Sequence, residues 1–184
     1  MKIEQRALAL LRRRALTAEQ RREISAVICE KLLTLPELSG VKTVFSYLAA
    51  WDEVDLSYVN QTLTARGITV AYPVCFEKGH MEAYVPEDEN AVETGAYGIK
   101  SPVVNRSKPV EPEDIDLVLV PCVAFDADKN RLGHGAGYYD RYLPRCSRAV
   151  FVLAAFQAQK LDGLCCDAHD VKMDIVVTEN AVLR

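Results

Sequence analysis

The chain has 184 residues, 49% of them hydrophobic, and a formal net charge of -4. That length and apolar content suffice for one sizeable core and leave a second one cramped, so a single domain over residues 1–184 is expected. The acidic balance opposes a nucleic-acid groove or an anionic membrane surface, and no apolar stretch approaches the roughly 20 residues of a membrane span.

Residues 2–14 carry Leu8, Leu11 and, just beyond, Ala15 at helical spacing, with Lys2, Arg6, Arg12, Arg13 and Arg14 around them. The pattern predicts an amphipathic helix with that apolar stripe as its buried face. Thr17 and Gln20 form a capping-box pair, so a second helix starts there and buries Ile24, Val27, Ile28 and Leu32. Residues 41–48 read as a strand, Asp55 as the cap of a helix reaching Arg66, Gly67 as its stop, and 68–72 as the next strand. Residues 86–114, rich in proline and acids, lack periodicity and read as a long loop with at most short strands. Apolar runs at 117–120, 149–155 and 175–178 complete an alternating α/β pattern, with a helix start at 138–143 between them.

The six cysteines, Cys29, Cys75, Cys122, Cys146, Cys165 and Cys166, show no paired C-x-x-C spacing. Free thiols in a reducing cytoplasm follow, and the charged N-terminus has no signal-peptide pattern. The Cys165-Cys166 pair has no companion base nearby for nucleophilic chemistry. His80, His134 and His169 are not spaced as a zinc pair.

The most informative stretch runs from Leu117 to Tyr142. An apolar strand leads into Arg131, then Gly133, Gly135 and Gly137, then Tyr138, Tyr139 and Asp140 at a helix start. Alternating glycines let backbone N–H groups approach an anion, and ligands gather at the carboxyl ends of parallel strands. A bare glycine-rich turn is common, but the added arginine, tyrosines and aspartate point to a polyanion. No Gly-Lys-Ser or Gly-Lys-Thr occurs, and the glycines do not follow the first strand. The P-loop and the Rossmann fingerprint are therefore disfavoured. Several residues admit two readings from pattern alone. Lys2 and Arg6 share a helix face, facing either solvent or one phosphate chain. Glu53 is a turn acid or a ligand group, Tyr138 and Tyr139 are core aromatics or a heterocycle platform, and Asp140 is a first-turn acid or a metal ligand. Asp126 and Asp128 read as turn formers.

Arg131-Leu-Gly-His-Gly-Ala-Gly-Tyr-Tyr-Asp-Arg141, preceded by Pro121-Cys-Val-Ala-Phe-Asp126, resembles the signature of the 5-formyltetrahydrofolate cyclo-ligase (methenyltetrahydrofolate synthetase) family. Glu53-Val-Asp55 and the closing Asp170-Val-Lys-Met-Asp174 fall in the family's order, so the resemblance covers nearly the whole chain. It implies a three-layer α/β/α sandwich with a mainly parallel sheet, like sugar-phosphate isomerases and CoA transferases. It implies ATP and magnesium (Mg2+) as cofactors and 5-formyltetrahydrofolate, alone or polyglutamylated, as substrate. Lys2, Arg6 and Arg131 are then the catalytic cations, and with Leu132, Gly133, His134, Gly135, Ala136, Gly137, Tyr138 and Tyr139 they hold the nucleotide. Glu53, with His134 to Tyr138, holds the folate; Asp140 and Asp174 hold the metal.

The implied chemistry is phosphorylation of the formyl oxygen by ATP, attack by the neighbouring folate nitrogen, and loss of phosphate. Positioning, cations and metal carry such a transfer. Three departures from the family pattern stand out: Cys122 replaces a glycine, Ser101 in Gly98-Ile-Lys-Ser-Pro102 replaces a glutamate, and Leu56 replaces a threonine. A non-catalytic folate- or nucleotide-binding relative and a phosphotransferase acting on another small molecule are the rival readings.

Overall fold

The computed structural model describes residues 1–95 and 98–184. Two helices open the chain, α1 (Lys2–Ala15) and α2 (Ala18–Leu33). Thr17 caps α2 reciprocally with Gln20, as its side-chain chemistry requires: the hydroxyl accepts from the Gln20 N–H, and the Gln20 amide oxygen accepts from the Thr17 N–H. Strand β1 (Thr43–Phe45), helix α3 (Ser57–Ala65) and strand β2 (Thr69–Cys75) follow. Asp55 starts α3 from two residues upstream, accepting bonds from the Ser57 N–H and hydroxyl at 2.9 and 2.6 Å. The helix therefore begins later than its acid suggests.

Strand β2 serves two neighbours. Its first half pairs in parallel with β1, and from Tyr72 onward it pairs antiparallel with β3 (Met81–Pro86). A two-stranded ladder, β4 (Val92–Thr94) with β5 (Lys100–Pro102), and an edge strand, β6 (Ser107–Val110), interrupt the segment 86–114, which was expected to be a long loop with at most short strands; residues 96 and 97 of that segment lie outside the described residues. Pro109 is tolerated in β6 because an edge strand has a spare N–H side. The strands there are short and exposed on one or both faces, which is why no apolar period announced them.

β7 (Leu117–Val120) is central, followed by the hairpin β8 (Ala124–Phe125) and β9 (Arg131–Leu132), helix α4 (Tyr138–Tyr142), and strands β10 (Val150–Ala154), β11 (Ile175–Val177) and β12 (Val182–Leu183). The main sheet runs β12-β11-β10-β7-β1-β2-β3-β6. Its five central strands are parallel; β12 and β3 flank them antiparallel, and β6 pairs antiparallel with β3. Alternation along the strands makes three layers. Val44, Leu117, Leu119, Val152 and Val177 pack on α2 and α3, whereas Phe45, Val118, Val120, Leu153 and Val176 pack with Tyr142 and Leu143 on the other face. This is the expected α/β architecture. Among the described residues no helix is long and apolar enough to cross a membrane.

α1 departs from expectation. Leu8 and Leu11 are 43% and 69% exposed and Ala15 is exposed, while Ala9 and Arg13 are buried at 0% and 1%. Its inward stripe is Lys2, Arg6, Ala9 and Arg13, spaced at helical intervals. The helix lies across the carboxyl edge of the sheet, where the β8–β9 hairpin and the loops expose carbonyls and carboxylates, so its cationic side turns in.

Candidate active site

Two segments leave the carboxyl edge of the sheet side by side, one after β1 and one after β7. The first is anchored by α3: the buried Ser46 hydroxyl donates to Asn60 Oδ1 at 2.6 Å, and Asn60 Nδ2 donates to the Tyr47 carbonyl at 3.2 Å. The chain then closes on itself at residues 50–53. Glu53 N–H donates to the Ala50 carbonyl at 2.9 Å, and the Glu53 carboxylate accepts from the Ala50 N–H at 3.0 Å. Trp51, at the tip, sits in the left-handed region at φ 43°. Burial pushes the Glu53 pKa above the usual carboxylate range; the Ala50 N–H and the Arg13 charge oppose it, and Asp52 adds to it.

The second segment carries the hairpin and the glycine loop. Asp126 shapes the hairpin turn by accepting from Asp128 N, Asn130 N and Asn130 Nδ2 at 2.8–3.0 Å and from Leu164 N at 3.0 Å, so it is the turn former its position suggested. Asp128 contributes its N–H to that turn. Arg131 is buried, stacks its guanidinium 5.5 Å from the Tyr139 ring centroid and donates from Nη2 to Asp140 Oδ1 at 2.6 Å. Its Nε is buried without a partner. Gly135 takes φ 104°, and a Cβ there would stand 3.4 Å from the Arg6 guanidinium. Gly137, at φ 69°, opens α4.

Helix α1 closes the site from above the loop. Arg6 Nε donates to the Gly133 carbonyl at 2.8 Å, and Lys2 Nζ holds Asp167 and Asp170, each at 2.6 Å. Arg13 spans both segments, donating to the Cys122 carbonyl at 3.2 Å and to Asp52 Oδ1 at 2.7 Å. One edge thus gathers a half-buried carboxyl, a glycine loop and four inward cations.

A model of the 5-formyltetrahydrofolate cyclo-ligase family matches residues 1–179. The chain belongs to this family. A mouse (Mus musculus) 5-formyltetrahydrofolate cyclo-ligase is 29% identical over 181 residues, covering 92% of this chain and 89% of the relative. A fission yeast (Schizosaccharomyces pombe) protein named as a probable cyclo-ligase is 30% identical over 175 residues, covering 87% and 86%. The solution structure of an Aquifex aeolicus 5,10-methenyltetrahydrofolate synthetase superposes with a TM-score of 0.86 at 36% identity, covering all of this chain and 92% of the other. A Mycoplasma pneumoniae 5,10-methenyltetrahydrofolate synthetase superposes with a TM-score of 0.80 at 28% identity, covering 97% and 98%.

Within this cyclo-ligase frame the residues singled out by sequence fall into distinct places. Tyr139 is the core aromatic of the pair, stacked on Phe45 at 6.3 Å with its hydroxyl pKa raised by burial. Tyr138 stands nearer the surface, its hydroxyl donating to the Phe76 carbonyl at 3.3 Å. The Leu132 side chain packs into the small core with Ala9, Val123 and Ala124, which leaves only its backbone for a ligand. Ala136 is exposed, and its carbonyl accepts from Arg141. His134 is exposed on the loop, with its pKa lowered first by partial burial and then by Arg13, against Asp52, and by Arg6 and Arg14.

The two acids expected to share a metal are held by different elements. Asp140 Oδ1, besides Arg131, faces the Val171 N–H at 3.4 Å, whereas Asp174 Oδ2 accepts from the Phe151 N–H at 2.7 Å, near the amino end of β10. Asp170, not Asp174, is the acid of that closing motif that meets α1. Asp167, His169 and Asp170 bring their ligand atoms within 4.8 Å of one another, with Lys2 bound to both carboxylates. Sequence reasoning passed over Asp167, Asp170, Arg13 and Asp52. The signal for Arg13 was its spacing: it continues the Lys2–Arg6 stripe along one helix face.

Cys122, in place of the family's glycine, is buried with its thiol pushed up to about 12 by burial, and its carbonyl accepts from Arg13 and Gln159. All six cysteines are unbonded. Burial also raises the Cys166 thiol.

Proposed function

We propose that the protein converts 5-formyltetrahydrofolate, alone or polyglutamylated, to 5,10-methenyltetrahydrofolate with ATP as phosphoryl donor, in the cytoplasm. The formyl oxygen attacks the γ-phosphorus as the bond to ADP breaks, forming an imidoyl phosphate. The neighbouring folate nitrogen then attacks the formyl carbon and loses its proton to solvent, and phosphate departs carrying the formyl oxygen. No water is consumed.

One observation carries this reading: two guanidinium groups flank Gly133 from opposite elements. Arg6 reaches its carbonyl at 2.8 Å, and Arg131 Nη1 lies 3.0 Å from where a Cβ would stand. Arginine forks pair with phosphate oxygens, and the loop N–H groups add donors at close range. A triphosphate laid along residues 133–137 would meet positive charge from both sides, and Lys2 would extend that charge. Glu53, at the same edge, presents a carboxyl of raised pKa suited to the ring nitrogens and amino group of a pterin. Little is required of a protein nucleophile, because phosphoryl transfer depends on alignment and charge neutralisation.

Asp140 and Asp170 fit magnesium: both are hard oxygen donors, part-buried at 19% and 17% side-chain exposure, and each now neutralises a cation. Bound there, magnesium would offset triphosphate charge. Asp174 is engaged by the β10 backbone and is not proposed as a ligand.

The test mixes protein, ATP, magnesium and 5-formyltetrahydrofolate and follows the near-ultraviolet absorbance of the methenyl product beside ADP release. Equal amounts of both products, dependent on ATP and metal, are expected. Folate binding with neither product would make the protein a non-catalytic relative; ADP without methenyl product would point to a phosphotransferase of other specificity.

A further inference from the structure

Arg141 is an exposed residue of α4, yet its guanidinium is gripped by backbone on two sides. Nε donates to the Gly79 carbonyl at 3.0 Å, 62 residues away in the connection between β2 and β3, and Nη2 donates to the Ala136 carbonyl in the glycine loop. A Cβ on Gly79 would fall 1.7 Å from Nη2, and one on Gly137 would fall 2.9 Å from Nη1, so the guanidinium fits between these two positions because both are glycine. Tyr138 fastens the same connection, its hydroxyl donating to the Phe76 carbonyl at 3.3 Å. Arg131, Arg145 and Arg148 each pair with an acid, whereas among the described residues no carboxylate reaches Arg141.

We infer that Arg141 is a positioning residue for the nucleotide, and that the turn at residues 76–79 is the outer brace through which it works. The inference rests on the nucleotide reading of the glycine loop above. The peptide joining Ala136 to Gly137 is planar and trans, so its carbonyl and its N–H point in opposite directions. With the Ala136 carbonyl held by Arg141, the Gly137 N–H is turned away from that side chain, and among the described residues it meets no acceptor. An unspent N–H in a fixed orientation is what a phosphate oxygen draws from a glycine loop. Gly135 and Gly137, at φ 104° and 69°, would otherwise let this peptide turn over at little cost, because glycine accepts either orientation. Tyr138 holds the brace through its own side chain and leaves the peptide plane to Arg141. The clasp therefore fixes a loop donor from outside, with no contact between Arg141 and the ligand.

The experiment measures Kd for ATP with magnesium and for 5-formyltetrahydrofolate by titration calorimetry, beside thermal melts, on wild type, Arg141→Gln, Arg141→Lys, Gly79→Ala and the Gly79→Ala, Arg141→Gln double variant. Gly79→Ala alters no atom of the glycine loop: its methyl takes the place of the guanidinium, and a hollow of about 240 Å3 walled by His80, Met81, Tyr142 and Arg145 receives the displaced side chain. Expected are about tenfold weaker ATP binding in Arg141→Gln and in Gly79→Ala, folate binding within about twofold of wild type in both, and no further loss in the double variant. Arg141→Lys keeps the charge but lacks a fork to bridge two carbonyls, so it should recover only part of the ATP affinity. Should Gly79→Ala melt well below wild type because of its φ of 74°, Gly79→Asn carries the same Cβ, tolerates that backbone and takes its place. Unchanged ATP affinity in Arg141→Gln or in the Gly79 variant, additive losses in the double variant, or full recovery by Arg141→Lys overturns the clasp and leaves the nucleotide reading standing. A wild type that binds no ATP overturns that reading and this inference with it.

Discussion

Arg131 and Asp140 stand at the two ends of the glycine loop and close it with a 2.6 Å ion pair, the arginine side chain 3% and the aspartate 19% exposed. The loop is thereby held as a ring between β9 and α4, and Tyr139 supports the guanidinium from below. On the proposed reading, a cation fixed this firmly would meet an incoming phosphate without rearrangement. The same pairing ties activity to local stability.

Arg131→Ala is expected to lower turnover by about 100-fold, as removal of one transition-state donor does elsewhere. It should also cost about 2 kcal/mol of stability, since Asp140 loses its partner but keeps a solvent edge. Arg131→Lys restores charge without the planar fork and should recover stability more than turnover. Chemical denaturation and steady-state rates on the two variants check this; unchanged turnover in Arg131→Ala removes Arg131 from the chemistry.

Glu53→Gln separates folate binding from stability. Burial raises the Glu53 pKa in the folded state, so its protonated form stabilises the fold below the unfolded value of about 4.3, and that contribution is lost as pH rises through the folded value. The variant can keep the bond from the Ala50 N–H. It should therefore melt above wild type at pH 7 and draw level near pH 4. Folate affinity should fall about 30-fold, with ATP affinity retained. Calorimetric melts across pH and titration calorimetry with each ligand provide the readouts.

Asp116 tests the frame far from the chemistry. Its carboxylate accepts from Lys42 N and Thr43 N at 2.8 and 3.0 Å and from Arg148 at 2.9 Å, tying the starts of β1 and β7 together. Burial works against its charge, but these partners outweigh it and hold the pKa below the usual range. The stability this adds is present above the unfolded value of about 3.9 and is lost as pH falls through the folded one. Asp116→Asn should cost about 1–2 kcal/mol at pH 7 and show a shallower acid transition than wild type, with KM for both substrates unchanged. Urea melts at pH 7 and pH 3 measure it.

Gly135→Ala probes the loop's backbone. The φ of 104° disfavours any side chain, and the added methyl would sit 3.4 Å from Arg6. We expect about tenfold weaker ATP binding from the displaced loop and arginine, about 1 kcal/mol lower stability, and folate binding near wild type. Equal loss of both ligands would mean that the loop serves the folate as much as the nucleotide.

Much of the frame was legible because the forces that shape it are local. The unbroken Leu117–Val120 run marked a strand covered on both faces, and all four residues are buried. Thr17 and Gln20 marked a helix start because each satisfies the other's backbone donor. β3 escaped notice because an antiparallel strand needs little apolar periodicity once β2 supplies a partner, and β6 is one of the short strands that the 86–114 segment was allowed. Glu53, Arg131 and the glycine loop stood out by residue type and spacing, and the fold brings them to one edge.

The sequence by itself determined the alternating α/β frame, the alternation of the two sheet faces, the glycine loop and the family. Only the tertiary structure decided which way α1 turns. Read alone, its leucines faced the core; docked on a polar carboxyl edge, it turns Arg13 inward to Asp52 and Cys122, and Lys2 to acids 165 and 168 residues away. It likewise brought Asp170, and not Asp174, against α1. Period and propensity are properties of neighbouring residues, whereas the rotation of a helix is set by the surface it meets, and no stretch of chain contains that surface.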